Sequence, residues 1–379
     1  MDLVAEMLLK HLASSDLVRA TRLCAPFQRR LSFLGRRGRN FDRLRNRLRV
    51  YPRFARKHAN DFDAFHLCDH SYSQLIHALP ADRTGVFLHD LDTFRCLLES
   101  EKEPRPKWFK KMARTILAGL QKARLVFYLT EPIRQQIERH NIIDPSKLIR
   151  CPVAPAEEFS PDETFENVQV EASSPLYQFL TAATSLDSSS APPSSVAQHS
   201  ALSTRHFVLH VGSTIARKRI DVLLKTFAAI RSAHPALRLL QIGGEWTAPQ
   251  REMIEQLHIG PAITQLRGLT RHDIARAYRA ASLVLQPSEA EGFGLPVIEA
   301  LACAAPVLAS DIPVLREVGG PAALYCRVGD IDRWSQTAGD VLSNKLPPPS
   351  REIRVTQASK FSWPEHARVI ASAYRSIVT

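Results

Sequence analysis

The feature that most constrains this chain is a rhythm in which short apolar runs alternate with stretches whose apolar residues recur at helical spacing. In the first half the runs are AFHL (64–67), GVFLH (85–89), RLVFYL (124–129) and KLIRCPV (147–153). In the second half they are FVLHV (207–211), LRLLQI (237–242), SLVLQP (282–287), PVLAS (306–310) and AALYC (322–326). Runs this short, bounded by glycine, proline or polar residues, read as strands buried on both faces. Strands alternating with helices predict an α/β protein whose parallel sheets are covered on both sides. Ligands of such sheets bind where the carboxyl ends of the strands open into loops. Chemistry is therefore expected after Val211, Ile242, Pro287 and Ser310.

At 379 residues the chain exceeds one core of ordinary size, so two domains are expected. Residues 1–161 read as an N-terminal domain and 206–360 as a C-terminal one, followed by a helix over 361–379 that returns to the first. Between them, 162–205 reads as a linker or insertion, because eight of the 19 residues from Ser185 to Ser203 are serine. The first residues carry a helical pattern (Leu3, Val4, Met7, Leu8, Leu12) with no strand before it. They also lack the basic start and cleavage site of a secretory leader. No run of 18 apolar residues predicts a membrane-spanning helix. The six scattered cysteines contain no CxxC pair, which suits reduced thiols in the cytoplasm.

Charge is concentrated. Residues 1–60 hold 15 Lys/Arg and 4 Asp/Glu, so they carry +11 of the net +12. The densest part runs from Arg29 to Lys57 and has three readings: attraction to an anionic membrane surface, attraction to a phosphorylated or lipid-diphosphate acceptor, or a solvated face. Charge alone permits nucleic-acid binding, but no recognition motif accompanies it, and none is expected.

The segment PSEAEGFGLPVIEALACAAPVLAS (287–310) is the most specific string. Glu291 and Glu299 are separated by seven residues, with Gly292, Phe293, Gly294, Leu295 and Pro296 directly after the first. Proline favours the first helical turn, so Glu299 falls inside a helix and Glu291 in the loop before it. Glycines there leave backbone N–H groups open at a helix N-terminus, which is an anion site. A phosphate flanked by two carboxylates suits a nucleotide-sugar. After Val211, Gly212 is followed by Arg217 and Lys218 just before a helix, two cations able to hold a diphosphate.

These strings resemble the signature of retaining glycosyltransferases of family 4, in the GT-B superfamily. The match runs through Glu291, Gly292, Phe293, Gly294, Leu295, Pro296, Glu299, Ala300, Cys303, Pro306 and Val307. It departs at Ala304, where the family usually has glycine, and at Arg219, where it has asparagine. The resemblance implies two Rossmann-like domains facing across a cleft; the helical start of this chain departs from it, since such N-terminal domains usually open with a strand that is not read here. It implies a catalytic set of Glu291, His89, Lys218 and Arg217. Donor contacts would come from Gly212, Arg217, Lys218, Gly243, Arg267, Leu269, Glu291, the Gly292–Leu295 backbone and Glu299. Acceptor contacts would come from Asp90, Asp92 and Thr130. His66 is expected at a strand end beside them.

The implied activity is transfer of a sugar from a nucleotide diphosphate to a glycan, lipid-linked or other acceptor with retention of configuration, in the cytoplasm or at the inner face of the membrane. No metal or resident cofactor is expected, because two cations and a helix N-terminus can hold the diphosphate. Two alternatives stand beside it: a catalytically silent scaffold that binds nucleotide-sugar or membrane, and a sugar-nucleotide epimerase.

Overall fold

The computed structural model describes residues 2–13, 17–101, 103–162, 174–184 and 207–378. The chain divides into two units, Met1–Val153 with Ser362–Thr379, and Ala154–Phe361.

The first unit begins with helix α1 (Asp2–Ala13), whose Val4, Met7, Leu8 and Leu12 form the buried stripe that the sequence spacing predicts. Helices α2 (Gly35–Arg45) and α3 (Tyr51–Lys57) follow, joined by a π-helical turn, Asn46–Val50. Strands β1 (Phe65–Leu67), β2 (Thr84–Leu88), β3 (Leu125–Tyr128) and β4 (Leu148–Arg150) then form a parallel sheet in that order. Helices α4 (Lys107–Lys122) and α5 (Glu131–Arg139) flank β3 in the chain. Every residue of β2 and β3 is buried, as their unbroken apolar runs require.

The second unit contains helix α6 (Pro175–Thr184), which falls in the stretch read as linker. Its Phe179 is buried edge-on against Phe207, 5.3 Å between ring centres. The serine-rich part of that stretch, 185–203, lies outside the described residues. Strands β5 (Phe207–Gly212), β6 (Arg238–Gly243), β7 (Ile263–Leu266), β8 (Leu283–Gln286), β9 (Val307–Ser310) and β10 (Leu324–Cys326) pair in parallel in the order β10-β9-β8-β5-β6-β7. Between them run α7 (Ile220–Ala233), α8 (Ala248–Gln256), α9 (Arg271–Ala280), α10 (Leu295–Ala302) and α11 (Pro313–Gly319), and α12 (Ile331–Leu342) follows β10. Helix α13 (Arg351–Ser359) closes the unit. The core gathers Leu223, Phe227, Leu239, Leu285 and Trp334 from α7, β6, β8 and α12. The order reverses between β5 and β8, the point at whose carboxyl ends open sheets of this kind bind their ligands.

Strand β7 was not anticipated. Its ITQL sequence sits at the sheet edge with every residue half-buried, so it lacks the continuous apolar signal. Both departures from the family string fall on left-handed backbone. Ala304 has φ +57° and Arg219 has φ +48°, a region glycine and asparagine enter most readily. Ala304 closes α10 with bonds from its own N–H to Leu301 O (2.9 Å) and from Ala305 N–H to Ala300 O (2.8 Å), the two bonds of a Schellman end. Arg219 fastens itself by a two-pronged pair with Asp221, 2.9 and 2.8 Å.

The last helix, α14 (Trp363–Val378), belongs to the first unit, where it packs against α1. Its Tyr374 hydroxyl donates to Phe65 O at 2.8 Å and meets His66 Nδ1 at 3.0 Å. Gly85 in β2 makes room: a Cβ there would fall 2.3 Å from the Tyr374 hydroxyl and 3.1 Å from the Phe127 ring. Gly85→Ala should therefore cost about 2 kcal/mol by overpacking. In a double-mutant cycle read by urea unfolding, that loss should shrink in the Tyr374→Phe background, because the hydroxyl is the nearest atom.

Candidate active site

The reversal point of the second sheet assembles the strongest cluster. The loop after β5 supplies Arg217 and Lys218, and the loop after β8 supplies Glu291. Lys218 Nζ donates to Glu291 Oε1 at 2.5 Å, and Arg217 Nη1 donates to Glu291 Oε2 at 3.2 Å and to Ala290 O at 2.9 Å. Gln286, at the end of β8, donates from Nε2 to the same carboxylate at 2.9 Å. The backbones are also tied, Glu289 N–H donating to Arg217 O at 2.9 Å. Both charged partners are enclosed, with side chains 8% and 6% exposed for Lys218 and Glu291. Burial alone would raise the Glu291 carboxyl; the Lys218 ammonium, the Ser288 hydroxyl and Arg217 outweigh it and hold the group below the ordinary carboxylate range.

Beneath this cluster lies His210 of β5, which sequence reasoning passed over as a strand residue. It is fully buried, and neither ring nitrogen has a hydrogen-bond partner among the described residues. Burial, reinforced by Lys218, pushes it down to about 3, so the ring is neutral and adds no charge beside the cations. Its signal in the sequence was a lone polar residue in an apolar run two positions before Gly212.

Glycines let the strand ends approach. Gly243, at φ +131°, lies so close to Gly212 that a Cβ would sit 2.3 Å from Gly212 O. Gln241 donates to Gly212 O at 3.0 Å, and Gln265 donates to Gln241 Oε1 and Gly244 O, so side-chain amides bridge β5, β6 and β7. At the rim, Arg267 pairs with Glu245, Gly268 turns the backbone at φ +69°, and Leu269 is half-buried.

The helix after the glycine string begins as predicted. Gly294, at φ +96°, precedes α10, and Phe293 is buried edge-on against Phe361 at 5.3 Å. Gly292 is half-buried in the turn and Leu295 opens the helix. Glu299 lies in α10 and accepts from the Tyr278 hydroxyl of α9 at 3.3 Å. It does not share the bonds of the Arg217–Lys218–Glu291 cluster. Its surroundings raise the carboxyl to about 8, burial outweighing Tyr278 and Arg271.

In the first unit, His89 follows β2, and its Nε2 lies 2.8 Å from Cys68 O. Asp90 accepts from Asp92 N–H at 3.0 Å. Thr130 precedes α5, is fully buried, and its hydroxyl has no partner among the described residues. His66 lies in the middle of β1 rather than at a strand end; burial takes it down to about 3. The residue that joins the loops here is His70, to which the sequence analysis assigned no role. It is buried, receives His89 N–H on Nδ1 at 3.4 Å, and has Asp90 at 3.8 Å and Thr93 at 3.5 Å from Nε2.

Two Rossmann-like units built on parallel sheets are the elements of the GT-B class, and solved structures of that class match the chain. Sucrose-phosphate synthase of Thermosynechococcus elongatus has a TM-score of 0.71 at 18% identity, covering 99% of this chain and 92% of that one. The Anabaena protein HepE in complex with UDP-glucose has a TM-score of 0.64 at 14% identity, covering 88% and 84%. Such likeness is one of fold. Residues 194–361 match the family described as glycosyl transferases group 1. The D-inositol 3-phosphate glycosyltransferase of Segniliparus rotundus is 33% identical over 183 residues, 45% of this chain and 39% of that protein. The chain thus matches about two fifths of that curated relative's length.

Removing Glu291 would leave an enclosed ammonium without its counter-charge. Glu291→Ala should lose about 3 kcal/mol of stability in chemical unfolding. A second consequence concerns pH. The folded carboxyl of Glu299 titrates near 8 against an ordinary 4.5, so its ionisation opposes folding. The stability present below pH 4.5 is lost as pH rises through 8. Glu299→Gln should therefore gain melting temperature relative to the parent as pH goes from 5 to 9 in a thermal-shift series.

Proposed function

We propose that the chain is a retaining glycosyltransferase, of the family 4 type, that moves a sugar from a nucleotide diphosphate to an acceptor hydroxyl in glycoconjugate biosynthesis. The observation that carries the reading is the convergence of Arg217, Lys218 and Glu291 at the carboxyl ends of β5 and β8, where the strand order reverses. Breaking the bond from the anomeric carbon to the phosphate oxygen leaves the electron pair on a diphosphate. Negative charge grows there while the sugar becomes oxocarbenium-like. Fixed donors aimed at the leaving group supply the largest stabilisation, and Lys218, Arg217 and the backbone amides from Phe293 to Leu295 are those donors. No metal is needed for this task in the reading.

Glu291 orients the sugar hydroxyls and steadies the positive centre, and Glu299 receives the ribose. Gly212 and Gly243 let the donor approach the backbone, with Arg267 and Leu269 beside the base. The acceptor attacks the same face that the phosphate leaves, and a phosphate oxygen takes its proton. The same reading assigns His89 to the donor sugar and Asp90, Asp92 and Thr130 to the acceptor. Relatives and fold neighbours that handle an inositol phosphate or UDP-glucose support a nucleotide-sugar donor and a polar acceptor. The acceptor is a glycan or lipid-linked molecule, met at the inner membrane face through the basic Arg29–Lys57 run.

The test is release of nucleotide from a panel of sugar donors with candidate acceptors. Lys218→Ala and Arg217→Ala should each lower kcat by about 100-fold or more. Glu291→Gln should do the same with less damage to folding than the alanine variant. Absence of turnover with every donor, in a chain that still binds nucleotide-sugar, would mark a silent scaffold. Conversion of the donor's sugar without an acceptor would mark an epimerase.

A further inference from the structure

The basic run of the first unit is more than a charged face. Among the described residues thirteen large apolar side chains are exposed, and seven of them fall between Leu23 and Leu48. Phe33 is 78% exposed, Leu34 58%, Phe41 54% and Leu48 51%. Soluble proteins scatter such residues singly; a cluster marks a contact surface. In the same stretch, from Arg29 to Lys57, stand twelve Lys/Arg and one acidic residue, Asp42.

The surface is built rather than loose. Asp42 is fully buried and accepts from Arg30 N–H (3.0 Å), Leu31 N–H (3.0 Å) and the Ser32 hydroxyl (2.7 Å). Asn46, also fully buried, exchanges two bonds with the Gln28 backbone at 2.9 and 2.8 Å. These two side chains pin residues 28–32 onto the α2 helix and its π-turn. The sole carboxylate of the stretch is thereby spent inside, and Phe27 and Phe33, at either end of the pinned segment, are left exposed. Along the helix, Phe41, Leu44 and Leu48 recur at helical spacing among arginines, and all three are exposed. Phe27, Arg29, Ser32, Arg39 and Arg43 line an open pocket, and its three guanidinium groups form no ion pair with any described carboxylate.

We propose that residues 23–57 are an interfacial anchor that seats on an anionic lipid bilayer. Phe33, Leu34, Phe41 and Leu48 enter the boundary of the acyl chains. Arg29, Arg39 and Arg43 hold a lipid phosphate in their pocket, and the exposed Arg30, Arg37, Arg49, Arg53, Arg56 and Lys57 supply charge for neighbouring headgroups. A helix lying in the interface needs this combination of an apolar surface and cationic flanks. Charge complementarity selects the anionic bilayer: a second copy would bring the same positive field against itself, and a polyphosphate chain has no use for exposed leucines. The inference deepens the membrane clause of the proposed function but does not rest on transfer activity.

The test uses the full chain without donor and vesicles of phosphatidylcholine, with or without about one third phosphatidylglycerol. Flotation should recover the protein only with the anionic vesicles. Phe33→Trp should show a blue-shifted emission on adding them. Phe33→Ser with Phe41→Ser should weaken partitioning about tenfold or more, with unchanged melting temperature because both positions are exposed. Arg39→Gln with Arg43→Gln should weaken it similarly. No association, or undiminished association of the serine variant, overturns the anchor and leaves a solvated basic face. Lipid-independent self-association abolished by the serine pair also overturns it. Failure of nucleotide release from every donor would sink the transferase reading and leave this result untouched.

Discussion

An enclosed ammonium on an enclosed carboxylate, Lys218 against Glu291, is the interaction on which the loop arrangement at the carboxyl ends of β5 and β8 depends. Burying either charge alone is costly, so each loop is stable in its observed place only while the other is present. The pair is possible because β5 and β8, far apart in the chain, are sheet neighbours at the point where strand order reverses. Gln286 and the backbone bond from Glu289 to Arg217 add partners, so the carboxylate is not left with unmet bonding capacity. His210 below supplies bulk without charge, which keeps the local field to the two cations and one anion.

The alternating rhythm of the chain made most of the architecture legible. Strands buried on both faces are mostly apolar, so β2, β3, β5, β8 and β9 announce themselves as short apolar runs in which polar members such as His210 and Gln286 are few. Strand β7 escaped because an edge strand is only half-buried and tolerates Thr264 and Gln265. The departures from the family string became intelligible as backbone positions. Ala304 and Arg219 both occupy left-handed conformations, where the usual glycine and asparagine meet least resistance. Arg219 offsets that cost with its bonds to Asp221.

The first unit shows where local reading stops. His66 sits in a short strand whose surroundings come from α14, some three hundred residues later, and Tyr374 occupies its ring nitrogen. His70 ties together the loops that carry His89, Asp90 and Thr93, yet in the sequence it is only one histidine of a CDH string. Likewise the basic run declared its charge at once. That Phe33 and Phe41 stand outside, while Asp42 and Asn46 turn inward to hold the preceding loop, depends on which side of the helix the rest of the unit covers.

By itself the sequence determined the class of fold, the strand ends that bear chemistry, and the residue types gathered there: two cations, two glutamates and a glycine turn. Those follow from local rules, namely periodicity, helix starts and the need of an anion for amides and cations. Tertiary structure alone decided the partners. Glu291 is bound to Lys218 and Arg217, whereas Glu299, one string away, answers to Tyr278 and carries a raised pKa. The reason is physical: hydrogen bonding and desolvation depend on which strands and helices become neighbours, and strand order is set by the packing of the whole sheet, not by any single segment.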